Sequence, residues 1–473
     1  MPSSGATTQR ALALKPHFDE GLEIAWPLTR AFQKKFKAEH ITGSEDQFLV
    51  KTRQSASTAR GRAVGGNHAG EIRNYGTATA QLAPGYVRPR VLQSRYYRGV
   101  TLDGPINAMA ADKAGSWEQF SADVVDDITM GIQNALEEDL LHGDGTGILA
   151  YIDDQQQATA TLRVKRNTAY ADRGMPGARF LQEEGMYVFV EIQTGIPAAD
   201  ANGNVGYMAQ SIDWNVHVDY SEVLLDRTVP TAVSTNPERY AVVEGDNDGN
   251  SYNEAIVGFD AVFNDAAGYP LLWEVDRTIA RGYSSTVVDA TTGASWGDVT
   301  MNVIGRILHA IKDGVGMEPD RGTGASDEYI AVSHDTVRDE LLQGAQASGG
   351  TYTGLAGGIV SLLRFKRGED LEVDLTKVKI GTSSGAVVLE GHTKAIFNTL
   401  FIIKPSLGRW ISWNKTAGVP EFMPGVGQGG IWTKRDARDQ YDATGYWYGQ
   451  YYYKNPRKAG RADALRQAEA ILG

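Results

Sequence analysis

The sequence predicts an α+β fold arranged around one long helix, and three observations carry that expectation. From Ser116 to Leu141 the apolar residues Phe120, Val124, Ile128, Ile132, Leu136 and Leu140 step by four, the stripe of an amphipathic helix. Residues 48–103 read as two long strands, FLVKTRQ and YVRPRVLQSRYYRGVTL, around a tip rich in Gly, Ser, Ala and Thr between Ser55 and Ala80. Residues 153–297 alternate short β runs with turn signals such as DANGNVG (Asp200–Gly206) and EGDNDGNS (Glu244–Ser251).

Each element follows in order. Residues 1–47 read as an arm with a short helix around Glu20–Lys37. The strand pair of 48–103 has little core of its own and needs a partner surface. The long helix opens on a capping box, Ser116 with Gln119. It closes at Gly143, a C′ glycine, and exits through GDGTG into a strand. At 1.5 Å per residue it spans roughly 39 Å, the length of a strut. A second helix covers 298–314, with Val303, Ile304, Ile307, Leu308 and Ile311 on one face and Gly314 at its end. Residues 328–404 mix strands with one more helix, 405–435 are loop-rich, 441–455 form an aromatic strand, and Ala462–Leu472 a short helix. There is no internal repeat.

Composition narrows the function classes. At 473 residues the chain can bury a sizeable core. A net charge of −12 argues against a general nucleic-acid binder. With no cysteine, disulfides and thiolate metal sites are excluded, which fits a reducing cytoplasm. The N-terminus has no apolar core of a signal peptide, and no run approaches the roughly 18 apolar residues of a membrane span. The longest candidate, Ala395–Ile403, reads as a buried strand.

Motifs with chemical potential are weak. Gly381-Thr-Ser383-Ser-Gly385 matches a nucleophile elbow, which needs a strand before and a helix behind; here strands flank it, so a hairpin turn is expected. Gly425-Val-Gly427-Gln-Gly-Gly430 matches a dinucleotide fingerprint without its strand and helix, and reads as a loop. Glu244, Asp246, Asp248 and Gly249 resemble half of an EF-hand loop, but Ala255 stands where a bidentate Glu is needed. Ser333-His334-Asp335 is no triad by adjacency, and Ser333 is expected to cap the following helix. The paired acids Asp126/Asp127 and Glu137/Glu138 read as a solvated or partner-facing side of the helix. Tyr446, Trp447, Tyr448, Tyr451, Tyr452 and Tyr453 could stack sugars, but a buried strand is favoured. No metal or cofactor is expected.

Charge distribution says more. Between Phe48 and Val100 the basic residues are Lys51, Arg53, Arg60, Arg62, Arg73, Arg88, Arg90, Arg95 and Arg98, against Glu71 alone, so the segment carries +8 and the rest of the chain −20. The helix Ser116–Leu141 has Glu118, Asp123, Asp126, Asp127, Glu137, Glu138 and Asp139 and no Lys or Arg. A basic projecting hairpin and an acidic strut in one chain suggest association in trans, because the planar guanidinium fork suits carboxylates. The candidate contact residues are Arg53, Arg60, Arg62, Arg73, Arg88 and Arg90 with Glu118, Asp123, Asp126 and Asp127. The alternative is that the hairpin folds back on its own helix.

A long acidic helix ending in GDGTG and entering a strand resembles the spine helix of Hong Kong 97-type major capsid proteins of tailed phages. Its neighbours agree: the Arg-rich extended segment resembles the family's E-loop, Asp298–Gln343 its A-domain, and YYYKNPRKAGR (Tyr451–Arg461) the returning P-domain strand. The resemblance implies an N-terminal arm (1–47), an E-loop (48–103), a P-domain with the spine helix (104–159), a β-rich insertion (160–297), an A-domain (298–430), and a return to the P-domain with a tail (431–473). It implies a structural protein, not an enzyme, made in the host cytoplasm and found in the virion. Hexamers and pentamers of it would enclose double-stranded DNA held only non-specifically, without a membrane. Portal and scaffolding proteins are implied partners, with a decoration or cement protein also open. The 47 residues before the E-loop are too few for a fused scaffold. Some family members join an E-loop lysine to a P-domain asparagine; here Thr52–Asp112 has no lysine, so Asn455 is expected to lack such a partner. The alternatives are an encapsulin-like compartment shell and, in another class, a carbohydrate-active enzyme or carbohydrate-binding protein.

Overall fold

The computed structural model describes residues 35–43, 45–53, 85–103, 114–166, 174–214, 216–217, 219–291, 297, 301–315, 329–340, 378–382, 385–415, 419–423, 432–434 and 440–465, with the side chains of 53, 85, 102, 103, 114–123, 301, 314, 315, 378–382, 385, 386 and 434 outside that description. The arm helix before residue 35, the hairpin tip and the Gly425–Gly430 motif lie outside the described residues; the helix expected to open at Ser116 begins two residues earlier, at Ala114, so Ser116 stands inside it rather than at its cap. Two ends of expected helices differ: Lys37–His40 and Gly460–Asp463 are strands.

The long helix runs Ala114–Leu141. Its stripe is buried as the period requires, with Val124, Ile128, Ile132, Leu136 and Leu140 all below a tenth exposed. Burial of each such side chain contributes roughly 1.5–3 kcal/mol. The Gly143 N–H still donates to Asp139 O, 3.0 Å, and the positive φ angles fall two and four residues later, at Gly145 and Gly147.

Beneath the helix lies a six-stranded sheet built on one 14-residue strand, Gln440–Tyr453. One edge pairs antiparallel with Ser94–Asp103 from Gly449↔Ser94 to Gln440↔Asp103. The other edge is shared in succession by Gly408–Ser412, Glu421–Phe422 and Trp432–Lys434, and Lys37–His40 adds parallel to Gly408–Ser412. The helix meets this strand at Gly445, where a Cβ would stand 2.4 Å from Ile128 Cγ2. Only glycine permits that approach. The aromatic run is a strand, as expected. Trp447, Tyr451 and Tyr453 are buried, with Tyr451 against Phe36, Phe259 and Trp410. The expected hairpin is present at its base as two short ladders, Val50–Arg53 with Gly85–Val87 and Glu45–Gln47 with Arg90–Leu92. Pro89, which has no N–H to donate, falls between them.

The helix exit feeds a second sheet, all antiparallel, in the order Ala150–Tyr151, Tyr240–Glu244, Met186–Glu191, Gly206–Asp213, Tyr220–Leu225, Thr161–Lys165. A bridge between Ile152 and Val164 joins its first strand to its last, closing a small barrel. Its interior is filled by its own cluster, including Leu162, Val164, Phe189, Tyr207, Val223 and Val242.

A third, mixed sheet has the order Thr286–Asp289, Gly460–Asp463, Leu400–Ile403, Tyr329–Ser333, Gly385–Gly391, Val378–Thr382. The second helix, Met301–Val315, covers it with the predicted face: Val303, Ile304, Ile307, Leu308 and Ile311 are buried. Of the apolar run 395–403, only Leu400–Ile403 is strand, because Asn398 at φ 51° turns the chain just before it.

A candidate assembly surface along the long helix

The helix presents its acids in two groups with different surroundings. Asp126 and Asp127 are exposed in its middle. Arg98, from the Ser94–Asp103 strand, reaches within 3.7 Å of Asp127. Its side chain crosses the helix at Gly131, where a Cβ would be 2.4 Å from Arg98 Cδ.

One turn from the helix end Glu137 is buried and Glu138 half-buried, which corrects the expectation of a solvated or partner-facing side for Glu137/Glu138. Glu137 is 1 % exposed and lies 3.2 Å from His392 Nε2. Glu138 pairs with Lys394 Nζ at 2.8 Å, and the same ammonium donates to Asn134 O. Burial raises the Glu138 carboxyl above its ordinary range while Lys394 opposes the shift. Asp139 accepts the Tyr96 hydroxyl at 2.5 Å, and burial with the nearby charges of Glu138, Glu244 and Asp144 pushes it up to about 7 against that hydrogen bond. The sequence carried a signal for this: Leu140-Leu141 widens the apolar stripe until Glu137, three and four residues earlier, falls inside it. The partners of Glu137 and Glu138, 255 or more residues away, carried none.

A groove of about 780 Å³ runs between the helix, the Ser94–Asp103 strand and the rim of the barrel, lined among others by Arg98, Gly131, Glu138, Asp139, Glu244 and Asp246. Desolvation raises Glu244, and Arg98 works against it. His142 at the helix exit is half-buried, and His334, ahead of the next helix, is buried. Burial lowers His142, against Phe180, to about 4, and His334 to about 2.

Of the ten nominated contact residues the structure describes four side chains: Arg88, Arg90, Asp126 and Asp127. The tip arginines Arg60, Arg62 and Arg73, and the side chains of Arg53, Glu118 and Asp123, lie outside the described residues. Arg88 is exposed. Arg90 pairs within its own chain with Glu45 and with Glu274, 3.1 Å. It is not brought to the helix acids; the arginine that is, Arg98, stood in the basic run but outside the nominated set.

The chemical motifs resolve into structure. Val378–Thr382 and Gly385–Gly391 form a hairpin closed at Thr382↔Gly385, with no helix behind it. In the EF-hand-like loop, Asp246 Oδ1 accepts from its own turn, from the N–H groups of Asp248 and Gly249. Among the described residues no group of three or more His, Asp or Glu side chains is placed to hold a metal. Ser333 does not cap the next helix: its Oγ is buried without a hydrogen bond, and His334 Nδ1 accepts the Thr336 N–H instead. Among the described residues no helix is long and apolar enough to cross a membrane.

No protein-family model and no curated protein matches the sequence. Among solved structures, the chain is similar to the capsid chain of cyanophage A-1(L), with a TM-score of 0.51 at 9% identity over 96% of this chain and 98% of that one. The capsid of an empty GTA particle matches with a TM-score of 0.41 and 7% identity, over 98% and 100% of the two chains. The capsid of Ralstonia phage GP4 matches with 0.37 and 10% identity, over 96% and 93%. The first of these carries the fold assignment: nearly end to end, this α+β chain has a capsid fold of the Hong Kong 97 type.

Proposed function

We infer that this chain is a major capsid protein, a structural subunit that assembles into the icosahedral head of a tailed phage around double-stranded DNA. The observation that carries the reading is the near end-to-end fold shared with the cyanophage capsid chain. Isolated local likeness would suit many functions; likeness over the full length of a shell subunit suits a shell subunit.

In this reading the long helix is the spine, residues 48–103 are the E-loop, and the insertion, 160–297, supplies most of the barrel and is exposed on the outer surface. The arm, P-domain and A-domain keep the ranges given by the sequence. The tip arginines reach the acids in the middle of a neighbour's helix, through repeated heterologous contacts of the kind that build shells. Portal and scaffolding proteins, and a decoration protein, would be further partners. The chain performs no catalysis, and the tyrosines that could have stacked sugars are largely consumed by the sheet core.

Expression followed by gel filtration and electron microscopy tests the reading. Closed shells are expected, by the chain alone or with a scaffold co-expressed. A uniform low-mass species under both conditions would overturn it, and shells that never take a portal would favour the compartment alternative. On a denaturing gel, mature particles should give a single band near 51 kDa.

A further inference from the structure

We propose that the turn Trp273–Glu274 aims the basic hairpin, with Trp273 the positioning residue that fixes the direction in which the hairpin leaves the body of the subunit. The hairpin cannot set that direction alone. Its base consists of two ladders of three pairs each, parted at Pro89. A two-stranded ladder so short is marginal by itself, so its course follows the surface it lies on.

That surface is the segment 271–283. Leu271–Leu272 and Val275–Asp276 pair across a two-residue turn, and both turn residues have positive φ, 47° at Trp273 and 65° at Glu274. This is the pattern of a type I′ turn, whose favoured sequence is Asn-Gly. A tryptophan there is a backbone outlier, and such outliers persist where their surroundings over-determine them. Here the surroundings include the hairpin base. The Arg90 N–H donates to Trp273 O at 3.0 Å. The indole, 8 % exposed, meets Phe48 of the hairpin edge-on at 6.4 Å, and it also meets Tyr452 of the central strand and Tyr283. Its Nε1 is buried without a hydrogen bond, so the ring serves by shape and apolar area rather than by its polar edge. Glu274 adds the 3.1 Å pair with Arg90, but both side chains are about half exposed and such a pair contributes little. Farther along, Gly282 passes Thr52 so closely that a Cβ would collide with the Thr52 carbonyl oxygen. The segment therefore touches both ladders, one at Arg90 and the other at Thr52, and the tryptophan is its wedge between hairpin and central strand. Under the capsid reading the direction decides which neighbour the hairpin meets; the aiming itself does not rest on that reading.

The chain has no cysteine, so a pair can be introduced for spin labels. Tyr86→Cys on the hairpin and Asp126→Cys on the long helix replace exposed residues, and pulsed electron paramagnetic resonance on full-length single subunits reads their separation. In that background Trp273→Asn with Glu274→Gly installs the sequence the turn favours while removing the ring. The distance distribution should broaden about twofold, because the hairpin base loses the surface that orders it. A tryptophan that serves the core alone would lower the urea midpoint and leave the distribution as narrow as in the parent, and that outcome overturns the proposal. A second measurement needs no variant: in the unaltered chain the Arg90 amide should exchange with solvent at least about tenfold more slowly than a free amide. Free exchange at Arg90 overturns the proposal even if the double variant fails to fold. Failure of the unaltered chain to form shells would sink the capsid reading and leave both measurements standing.

Discussion

The middle and the end of the long helix carry the same sequence signal, adjacent carboxylates with no basic residue between Ser116 and Leu141, and meet opposite fates. Asp126 and Asp127 stand in solvent, with one long contact to Arg98. Glu137 is buried and Glu138 half-buried, and they are matched one to one with His392 and Lys394. The difference teaches that charge on a helix face does not identify a surface. An exposed pair contributes about 0–1 kcal/mol, whereas a buried acid must be matched or neutralised, so its partner becomes a condition of folding.

The largest expected effect breaks the matched end. Lys394→Met leaves Glu138 half-buried without its cation and should cost about 3 kcal/mol in urea unfolding. A loss near zero would mean that Glu138 escapes to water. Slightly smaller is Gly445→Val, which drives a branched side chain into Ile128 in the middle of the helix and should cost about 1–3 kcal/mol. An unchanged midpoint would show that the helix lifts off the sheet without penalty.

Acid titration sharpens the contrast further. His142 and His334 fold at values lowered to about 4 and about 2, so the unfolded chain binds more protons below pH 6.5. Stability present above that pH should be lost as pH falls toward 4. Melting temperatures measured from pH 7 to pH 4 should fall, and His142→Gln should shallow the decline.

The smallest effect on the folded subunit is expected in the exposed middle. Asp126→Asn with Asp127→Asn should change subunit stability by no more than about 0.5 kcal/mol. Under the capsid reading the same pair, or charge reversal at Arg60, Arg62 and Arg73, should weaken assembly, most visibly at low salt where screening is least. Normal assembly of both variants at low ionic strength would leave these residues as solvated charges.

Much of the fold was legible where the determining interactions are local. The four-residue step from Val124 to Leu140 and the face Val303–Ile311 each fix a helix and its buried side, because helical periodicity sets which side chains share a face before any partner is chosen. Aromatic content made 441–455 a strand, observed over Gln440–Tyr453, and the flanking strands made Gly381–Gly385 a turn. The nominated contact set was less legible. Arg90 finds acids at Glu45 and Glu274, brought beside it by ladder pairing and by the turn after Leu272, and spacing along the chain contains neither relation.

The sequence by itself determined the long helix, its apolar register, its unbalanced acid content, the basic extended segment and the absence of thiol chemistry. Each is a property of composition or of contacts a few residues apart. Only the tertiary structure decided that Ile152 meets Val164 and closes a barrel, that His334 rather than Ser333 serves the Thr336 amide, and that Glu137 lies inside and Glu138 against Lys394 while Asp126 and Asp127 stay outside. The physical reason is that burial is a relation between elements: the same carboxylate is hydrated or desolvated according to what a segment 255 residues away lays over it.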